Sequence, residues 1–403
     1  MAKHTMQELY QWQALPLNIK VRMTADRIRN WVNEFGEDGV CLSFSGGKDS
    51  TVLAHIIREV CGYKNIPFVF VDVPTQYPEL KQFAHTFDNL VILKSKISFA
   101  QVCEKYGFPM ISKEVSNCVS GARKYLKHLD NKKNENTILT DRQTDRQTDR
   151  QTIPYAWCMA DLLGIDWRID KGNKAFVNIK MGNIPSEILK APIRVRQLFD
   201  VKSEDFGMYD RSKYLFMLNA PFEVSDQCCK VMKKQPMHQY NKDTGRVPIA
   251  AQMASESKLR TSQWLQNGCN GFDLKIPTSN PMSFWTEQDV LLYIKENNLP
   301  ICSVYGEVVT DYEAMGQCEN QMSFADFGIF DKERPLLKTT GCQRTGCVLC
   351  GFGCHLEKES RFLRLKETHP KFHNLLYVLK NNGVTYAEAI DWVNEHGNMN
   401  IKY

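Results

Sequence analysis

The fold is decided by one stretch, Gly39-Val-Cys-Leu-Ser-Phe-Ser-Gly-Gly-Lys-Asp-Ser-Thr-Val-Leu-Ala-His-Ile-Ile-Arg58. It contains a short apolar strand, then a glycine turn that carries a lysine and several hydroxyls, and then an apolar helix. This order points main-chain N–H groups and a helix N-terminus at one spot, which suits a polyphosphate. The stretch therefore predicts a nucleotide site.

The turn supplies the residue types that such a site needs. The two glycines let the main chain approach an anion closely, and Lys48 adds a positive charge. Ser45 and Ser50 add hydroxyl donors, and Asp49 either caps the helix or helps to hold Mg²⁺. An ordinary strand-to-helix turn is the alternative. We predict six nucleotide-binding residues, the last three also catalytic: Ser45, Gly46, Gly47, Lys48, Asp49 and Ser50.

Two further apolar runs extend the pattern beyond this stretch. Ile66-Pro-Phe-Val-Phe-Val-Asp72 and Leu90-Val-Ile-Leu93 read as buried strands separated by helical segments. Strands that alternate with helices predict an α/β fold with a doubly wound, mostly parallel sheet, which binds ligands at the carboxyl ends of its strands. Asp72 lies at such an end and is a candidate nucleotide contact. A capping or turn aspartate is the alternative.

Composition narrows the class of protein. The chain has 403 residues, is 43% hydrophobic and 24% charged, and carries a formal net charge of +5. These values are typical of a globular protein, and the mild positive charge permits an anionic substrate or a nucleic acid without requiring either. No run has the length of a signal peptide core or a membrane span, so we expect a cytoplasmic protein with no membrane partner. The sequence permits a homo-oligomer.

We divide the chain into three parts on composition. Residues 1–35 form an N-terminal helical lead-in, 36–310 a nucleotide-binding α/β domain, and 311–403 a small Cys-rich, helical C-terminal subdomain. Within the second part, residues 129–152 are expected to be an exposed, variable insertion. It ends in Thr-Asp-Arg-Gln repeats that offer no apolar face to bury.

The fourteen cysteines are many for a reducing compartment, and several cluster late in the chain. The C-x₂-C spacing of Cys347 and Cys350 lets two thiolates reach one metal centre. Two arrangements compete with a set of plain thiols. One is a local site, suited to structural Zn²⁺ or a cluster, and the other is an iron–sulfur site that recruits a distant Cys-Cys pair. Their ligands would be Cys342, Cys347, Cys350 and Cys354 (or His355) in the first, and Cys228, Cys229, Cys347 and Cys350 in the second.

Several of these motifs resemble a known family. Ser45-Gly-Gly-Lys-Asp-Ser50 is similar to the PP-loop of the ATP-pyrophosphatase superfamily. Together with the Cys-Cys pair, Trp285-Thr-Glu-Gln-Asp-Val-Leu-Leu-Tyr-Ile-Lys-Glu-Asn-Asn-Leu-Pro300 and Gly346-Cys-Val-Leu-Cys350, it resembles the phosphoadenosine phosphosulfate (PAPS) and adenosine phosphosulfate (APS) reductase family over most of 35–355. The resemblance implies that the PP-loop binds ATP or an APS/PAPS-like adenylyl nucleotide. It also implies a 4Fe–4S cluster on Cys228, Cys229, Cys347 and Cys350.

The segment Ala251-Gln-Met-Ala-Ser-Glu-Ser-Lys-Leu-Arg260 resembles the nucleotide-recognition stretch of that family. The match implies nucleotide contacts at Glu256, Ser257 and Arg260. Met253 stands where the family usually has an arginine, the residue suited to bidentate anion binding. We expect Arg246 or Lys258 to compensate.

The chain departs from the family after Cys354, where no further cysteine follows. Sulfonucleotide reductases use a C-terminal cysteine as the nucleophile, so reduction through the usual thiosulfonate intermediate is not expected. We therefore predict adenylation coupled to iron–sulfur-assisted sulfur transfer, with Mg²⁺, a sulfur donor protein, and DNA or tRNA as candidate acceptor. Cys342 and Cys354 are candidate persulfide carriers.

Two alternatives remain open. One is an APS/PAPS reductase that uses Cys342 or Cys354 as a non-standard thiol. The other is a non-catalytic, nucleotide-responsive regulator or nucleic-acid-binding protein, in which Arg361, Arg364 and Lys366 would meet a phosphate backbone.

Overall fold

The computed structural model describes residues 3–140, 188, 190–199, 211–314, 336–357 and 359–403, with the side chains of 130–140 outside the description. The chain forms two compact units, each made of two separate stretches. The first unit comprises Met1–Lys96 and Val231–Cys347, and the second comprises Ile97–Lys230 and Val348–Tyr403. The predicted boundaries at 35/36 and 310/311 both fall inside the first unit, and the three-part division stays a prediction.

The secondary structure of the described residues alternates helices and short strands. The α-helices are α1 (Met6–Gln13), α2 (Leu17–Phe35), α3 (Lys48–His55), α4 (Pro78–Ala84), α5 (Phe99–Tyr106), α6 (Lys113–Thr140), α7 (Ile193–Leu198), α8 (Gln227–Cys229), α9 (Gln235–Thr244), α10 (Lys258–Asn267), α11 (Glu287–Glu296), α12 (Arg361–Thr368), α13 (Pro370–His373) and α14 (Tyr386–Gly397). The strands are β1 (Val40–Phe44), β2 (Phe68–Asp72), β3 (Leu90–Lys94), β4 (Met110–Ile111), β5 (Val247–Ala250), β6 (Asn270–Gly271), β7 (Thr278–Ser279), β8 (Val308–Thr310), β9 (Leu337–Thr339), β10 (Gly351–Phe352), β11 (Lys380–Asn381) and β12 (Val384–Thr385).

A six-stranded sheet forms the centre of the first unit, in the order β3-β2-β1-β5-β7-β6. Every neighbouring pair is parallel except β6 with β7. The chain moves outward from β1 to β2 and β3 and later returns to β5 on the other side of β1, as a doubly wound sheet does. The predicted α/β class is therefore confirmed.

The central strands are apolar because both faces of the sheet are covered. Leu42, Phe68 and Phe70 are fully or almost fully buried, together with Ile28 and Trp31 of α2. Parallel strands that are buried on both faces read as continuous apolar runs, which explains why the strands were visible in the sequence.

Helix α11 starts at the residue that its capping pattern indicates. Thr286 accepts a hydrogen bond from the main-chain N–H of Asp289, and the Asp289 carboxylate accepts one from the Thr286 N–H, which completes a capping box. Lys20 of α2 also reaches Asp289, at 2.6 Å, and both side chains are buried. These bonds fix the first turn of α11, which begins at Glu287.

The second unit is mainly helical. Its α6 is held by Arg123, whose guanidinium donates hydrogen bonds to the carbonyls of Phe222, Met217 and Ala220. Tyr386 of α14 stacks on Phe108, with ring centroids 4.6 Å apart. The short strands β4 and β10 pair in parallel, and β11 with β12 forms a hairpin.

Part of the predicted insertion is helical. Residues 129–140 continue α6, since the stretch 122–140 contains neither proline nor glycine to end a helix, and the exposed, variable insertion stays a prediction. The Thr-Asp-Arg-Gln repeats beyond Thr140 lie outside the described residues. None of the helices in the described part of the chain has the length and apolar character needed to cross a membrane.

Candidate nucleotide-binding site

The predicted phosphate loop lies between β1 and α3, at the carboxyl edge of the sheet. Gly46 has a φ of 71°, a left-handed conformation that favours glycine, and a Cβ added there would lie 3.0 Å from the carbonyl oxygen of Leu80. The two serine hydroxyls are 3.0 Å apart, and Ser50 Oγ donates to the Gly47 carbonyl at 2.9 Å. Ser45 and Ser50 therefore shape the loop through bonds to each other and to its backbone.

Lys48 is the first residue of α3, and its side chain is only 3% exposed. Its Nζ donates to the carbonyl of Gln343 at 2.8 Å and lies 3.1 Å from Oε1 of Glu287. Its main-chain N–H donates to the hydroxyl of Tyr305 at 3.2 Å, and that hydroxyl is 2.6 Å from Oγ1 of Thr345. The lysine is thus positioned from both ends by residues far away in sequence.

Asp49 contributes a carboxylate that is not fully satisfied. Burial raises its pKa above the ordinary value, and the charge of Lys48 offsets part of this rise. Its Oδ1 is buried without a hydrogen-bond partner and lies 4.0 Å from Lys48 Nζ. A buried acceptor that lacks a donor carries a desolvation cost, and a bound cation or ligand would reduce that cost.

Glu256, Ser257 and Arg260 have local partners, and the charge of Arg260 also acts on Asp49 of the loop. Ser257 caps α10 by accepting from the N–H of Arg260, and Glu256 accepts from the N–H of Met253 and pairs with the Arg260 side chain. Burial and the nearby charge of Arg344 lower the pKa of Arg260, and the charge of Asp49 opposes this. Arg260 is therefore the member of this trio whose charge acts on the loop.

Other predicted residues lie elsewhere or are already paired. Asp72 ends β2 at the same edge of the sheet, but its carboxylate is 2.5 Å from Nζ of Lys81. Met253 is buried in the core, and Arg246 donates to the carbonyl of Val40, where β1 begins. The loop follows the other end of β1, so Arg246 does not compensate for the missing arginine.

Comparison with known proteins decides the family. The model of the phosphoadenosine phosphosulfate reductase domain matches residues 39–165 and 167–351, which is more than half of the chain. The chain belongs to the PAPS reductase family. This is an enzyme family of the PP-loop superfamily that binds adenylyl nucleotides.

Structural and curated comparisons add less. A crystal structure of phosphoadenylyl-sulfate (PAPS) reductase from Candida auris in a phosphate complex is similar to this chain, with 12% identity and a TM-score of 0.31 over 75% of this chain and 91% of that one. A likeness at that score supports no argument about the site. No curated protein matches the chain.

The cysteines predicted as cluster ligands in this PAPS reductase family member are divided between the units. Cys347 is the last residue of the first unit, whereas Cys228, Cys229 and Cys350 belong to the second. All four are half-buried, and burial raises the pKa of Tyr386, with smaller contributions from the charges of Cys350 and Cys228. Among the described residues no group of three or more His, Cys, Asp or Glu side chains is arranged to hold a metal ion.

The two candidate persulfide carriers are buried. Cys342 Sγ donates a long hydrogen bond of 3.5 Å to the Tyr77 hydroxyl, and Cys354 Sγ donates to the carbonyl of Gly351. Burial raises the pKa of Cys354 to about 12. Because the thiolate is the nucleophile, Cys354 is poorly suited to attack at neutral pH.

Two of the three predicted basic residues of α12, Arg361 and Arg364, are engaged within the second unit, and Lys366 is exposed. Arg361 donates to Glu357 and to the carbonyl of Cys350, and Arg364 donates to Glu359. Phe362 between them is fully buried and offers no ring for base stacking. This arrangement is typical of a helix face that stabilises its own fold.

Sequence reasoning missed four residues that border the phosphate loop: Glu287, Tyr305, Arg344 and Thr345. The capping box at Thr286 was a signal for Glu287, since it places that residue at the first position of α11. The other three lie just before β8 or just after β9, and the pairing of these two strands brings them to the loop. No local sequence pattern predicts that pairing.

Proposed function

We propose that this PAPS reductase family member binds ATP at its PP-loop and transfers the adenylyl group to a substrate, with release of pyrophosphate, as the activating step of a sulfur transfer. The observation that carries the proposal is the buried Lys48 amine beside the unpartnered Asp49 oxygen at the N-terminus of α3. A fixed positive charge, a helix N-terminus and an unsatisfied carboxylate in one place suit a polyphosphate bound with a cation.

The chain's own groups would act through position and charge. The Lys48 amine at the N-terminus of α3 would bind the phosphates and stabilise the charge that develops on the leaving pyrophosphate. Arg260, whose charge acts on Asp49 of the loop, would add a second positive charge. The shape of the loop is fixed beforehand by the Ser45 and Ser50 hydroxyls, so little reorganisation is needed.

Asp49 fits a role in holding Mg²⁺. In nucleotide sites Mg²⁺ uses one or two protein carboxylates together with substrate phosphates, so one unpartnered carboxylate oxygen is sufficient. When bound, the ion would neutralise phosphate charge.

The iron–sulfur cluster stays a prediction that rests on the family resemblance. Because the described residues do not assemble its ligand set, we assign no step of the reaction to it. The sulfur donor protein, the DNA or tRNA acceptor and a homo-oligomeric state likewise stay predictions, as does the regulator alternative.

An APS/PAPS reductase is the second candidate, because that activity gives the matching family its name. In this chain it would need Cys342 or Cys354 as nucleophile. Both thiols are buried, and the raised pKa of Cys354 opposes thiolate formation. These observations favour adenylation. Sulfite release from APS in the presence of thioredoxin would reverse that preference.

The test measures ATP binding by equilibrium dialysis and pyrophosphate release in wild type and Lys48→Met, which keeps the length of the side chain. Removing a fixed charge from a phosphate site lowers turnover by about 100-fold or more. We expect at least that loss, and a matching loss of affinity for ATP. Lys3→Met is the control, since Lys3 is exposed and pairs with Asp273. A folded Lys48→Met protein that releases pyrophosphate at the wild-type rate would contradict the proposal.

A further inference from the structure

Glu287 occupies a position that an anionic ligand would be expected to take. Its Oε1 lies 3.1 Å from Nζ of Lys48, and its Oε2 lies 4.0 Å from Nη2 of Arg344. One carboxylate therefore lies between the buried lysine of the phosphate loop and an arginine. Like a carboxylate, phosphoryl and sulfonyl groups carry negatively charged oxygens that pair with lysine and arginine, and the spacing of these oxygens is similar.

Arg344 is held at the loop by its neighbours while its own side chain stays exposed. The Gln343 carbonyl accepts from Lys48 Nζ, and Thr345 Oγ1 is bonded to the Tyr305 hydroxyl. The side chain of Arg344 between them is 59% exposed. A residue that served only to pack would be covered, so this guanidinium is available to a ligand.

The segment that carries Arg344 is fixed by several contacts inside the first unit. Gln288 bonds both main-chain polar groups of Leu337, at 2.9 and 2.8 Å, and so ties β9 to α11. The Gly341 N–H donates to the Tyr305 carbonyl, and a Cβ on Gly341 would lie 2.4 Å from the Val304 carbonyl oxygen. Glu287 and Arg344 are thus brought together by elements that are themselves anchored.

We propose that Arg344 recognises the phosphoryl or sulfonyl group of the nucleotide that lies farthest from adenosine, and that the Glu287 carboxylate holds its place until that group displaces it. This inference rests on the proposed nucleotide site. Arg344 would supply the guanidinium that the family's recognition segment lacks in this chain, where Met253 stands in place of the usual arginine. Arg260 would share the anion, since Arg344 lowers the pKa of Arg260 and both charges act on Asp49.

The pairing of Lys48, Glu287 and Arg344 gives opposite expectations for two substitutions. Arg344→Ala removes a ligand for the outer anionic group, so the affinity for ATP should fall by about 10-fold or more, while the affinity for AMP changes less than about 2-fold. Glu287→Gln removes the competing charge and keeps the shape, so the affinity for ATP should rise, most at low salt. Arg344→Lys should recover only part of the loss, since lysine cannot bind in a bidentate manner.

The experiment measures dissociation constants for ATP and AMP by equilibrium dialysis on the full chain, with thermal unfolding to confirm folding. Arg29→Ala is the matched control, since Arg29 is also exposed and paired with an acid, Asp26 of the same helix. Unchanged ATP affinity in Arg344→Ala, or a lower affinity in Glu287→Gln, would overturn the inference. If Lys48→Met binds ATP normally, the proposed nucleotide site fails instead, so the two failures are distinguishable.

Discussion

The phosphate loop and the late cysteines are both rich in chemically active residues, but they depend on the chain in different ways. The loop is contiguous, and its shape comes from hydrogen bonds among residues 45–51. The predicted cluster ligands come from two separate stretches and from both units. A site of the second kind exists only if distant segments meet in the right geometry.

This difference shows what a motif can establish. A strand, a glycine turn and a helix in sequence already determine where their N–H groups point, so the loop motif carries its own geometry. C-x₂-C spacing only allows two thiolates to reach one centre and leaves the other ligands undetermined.

The largest expected effect concerns the predicted cluster ligands, whose geometry the C-x₂-C motif leaves undetermined. Replacing the four predicted cluster ligands, Cys228, Cys229, Cys347 and Cys350, by serine should remove all bound iron, because serine hydroxyls are poor cluster ligands. Anaerobically purified wild type should then show a broad visible band and about four irons per chain, which the variant lacks.

The control for that experiment is Cys269→Ser, since Cys269 is buried in the hydrophobic core of the first unit, is in neither predicted ligand set and should keep the iron of wild type. A colourless protein with one zinc would favour the local site of Cys342, Cys347, Cys350 and Cys354. A protein without metal would leave the late cysteines as ordinary thiols.

A smaller effect tests whether the loop sacrifices stability for binding. Because Asp49 has a raised pKa in the folded protein, its ionised form costs stability at pH values above that pKa. Asp49→Asn should therefore stabilise the protein by about 1 kcal/mol at neutral pH and weaken ATP binding in Mg²⁺ by about 10-fold. Thermal unfolding and dialysis measure the two effects.

The pH dependence of the stabilisation by Asp49→Asn shows whether ionisation of Asp49 is its cause. As the pH falls through the folded-state pKa, Asp49 becomes neutral like asparagine, so the advantage of the variant should shrink. Asp38→Asn, at an exposed turn residue, should show no such stabilisation at neutral pH. If Asp49→Asn is less stable than wild type at neutral pH, Asp49 has a stabilising partner that the loop geometry does not include.

The parts of the fold that local patterns determine could be predicted from the sequence. Continuous apolar runs located β1, β2 and β3, and the spacing of Thr286 and Asp289 located the start of α11. The phosphate loop followed from the same logic, since its bonds are formed within one turn of chain.

The distant residues that border the phosphate loop could not be predicted from local sequence patterns. Tyr305 and Arg344 reach the loop through the β8–β9 ladder, whose register depends on long-range pairing. Arg246, one of the two residues expected to compensate for Met253, lies away from the loop because β5, which follows it, runs parallel to β1 and starts at the opposite edge of the sheet. Position along the sequence did not show which end of a strand a side chain would face.

The smallest expected effect concerns one of these distant residues, Tyr305. Tyr305→Phe removes a hydroxyl that accepts from the Lys48 N–H and is bonded to Thr345, which should cost about 1 kcal/mol of stability. ATP affinity should fall by less than about 5-fold, because the hydroxyl positions the loop and does not itself carry charge. Tyr293→Phe is the matched control, since it loses a hydroxyl bonded to His55 and should leave ATP affinity unchanged. A loss beyond about 50-fold in Tyr305→Phe would mean that the hydroxyl contacts the nucleotide directly, and the long-range contacts would then be part of the binding site and not only its support.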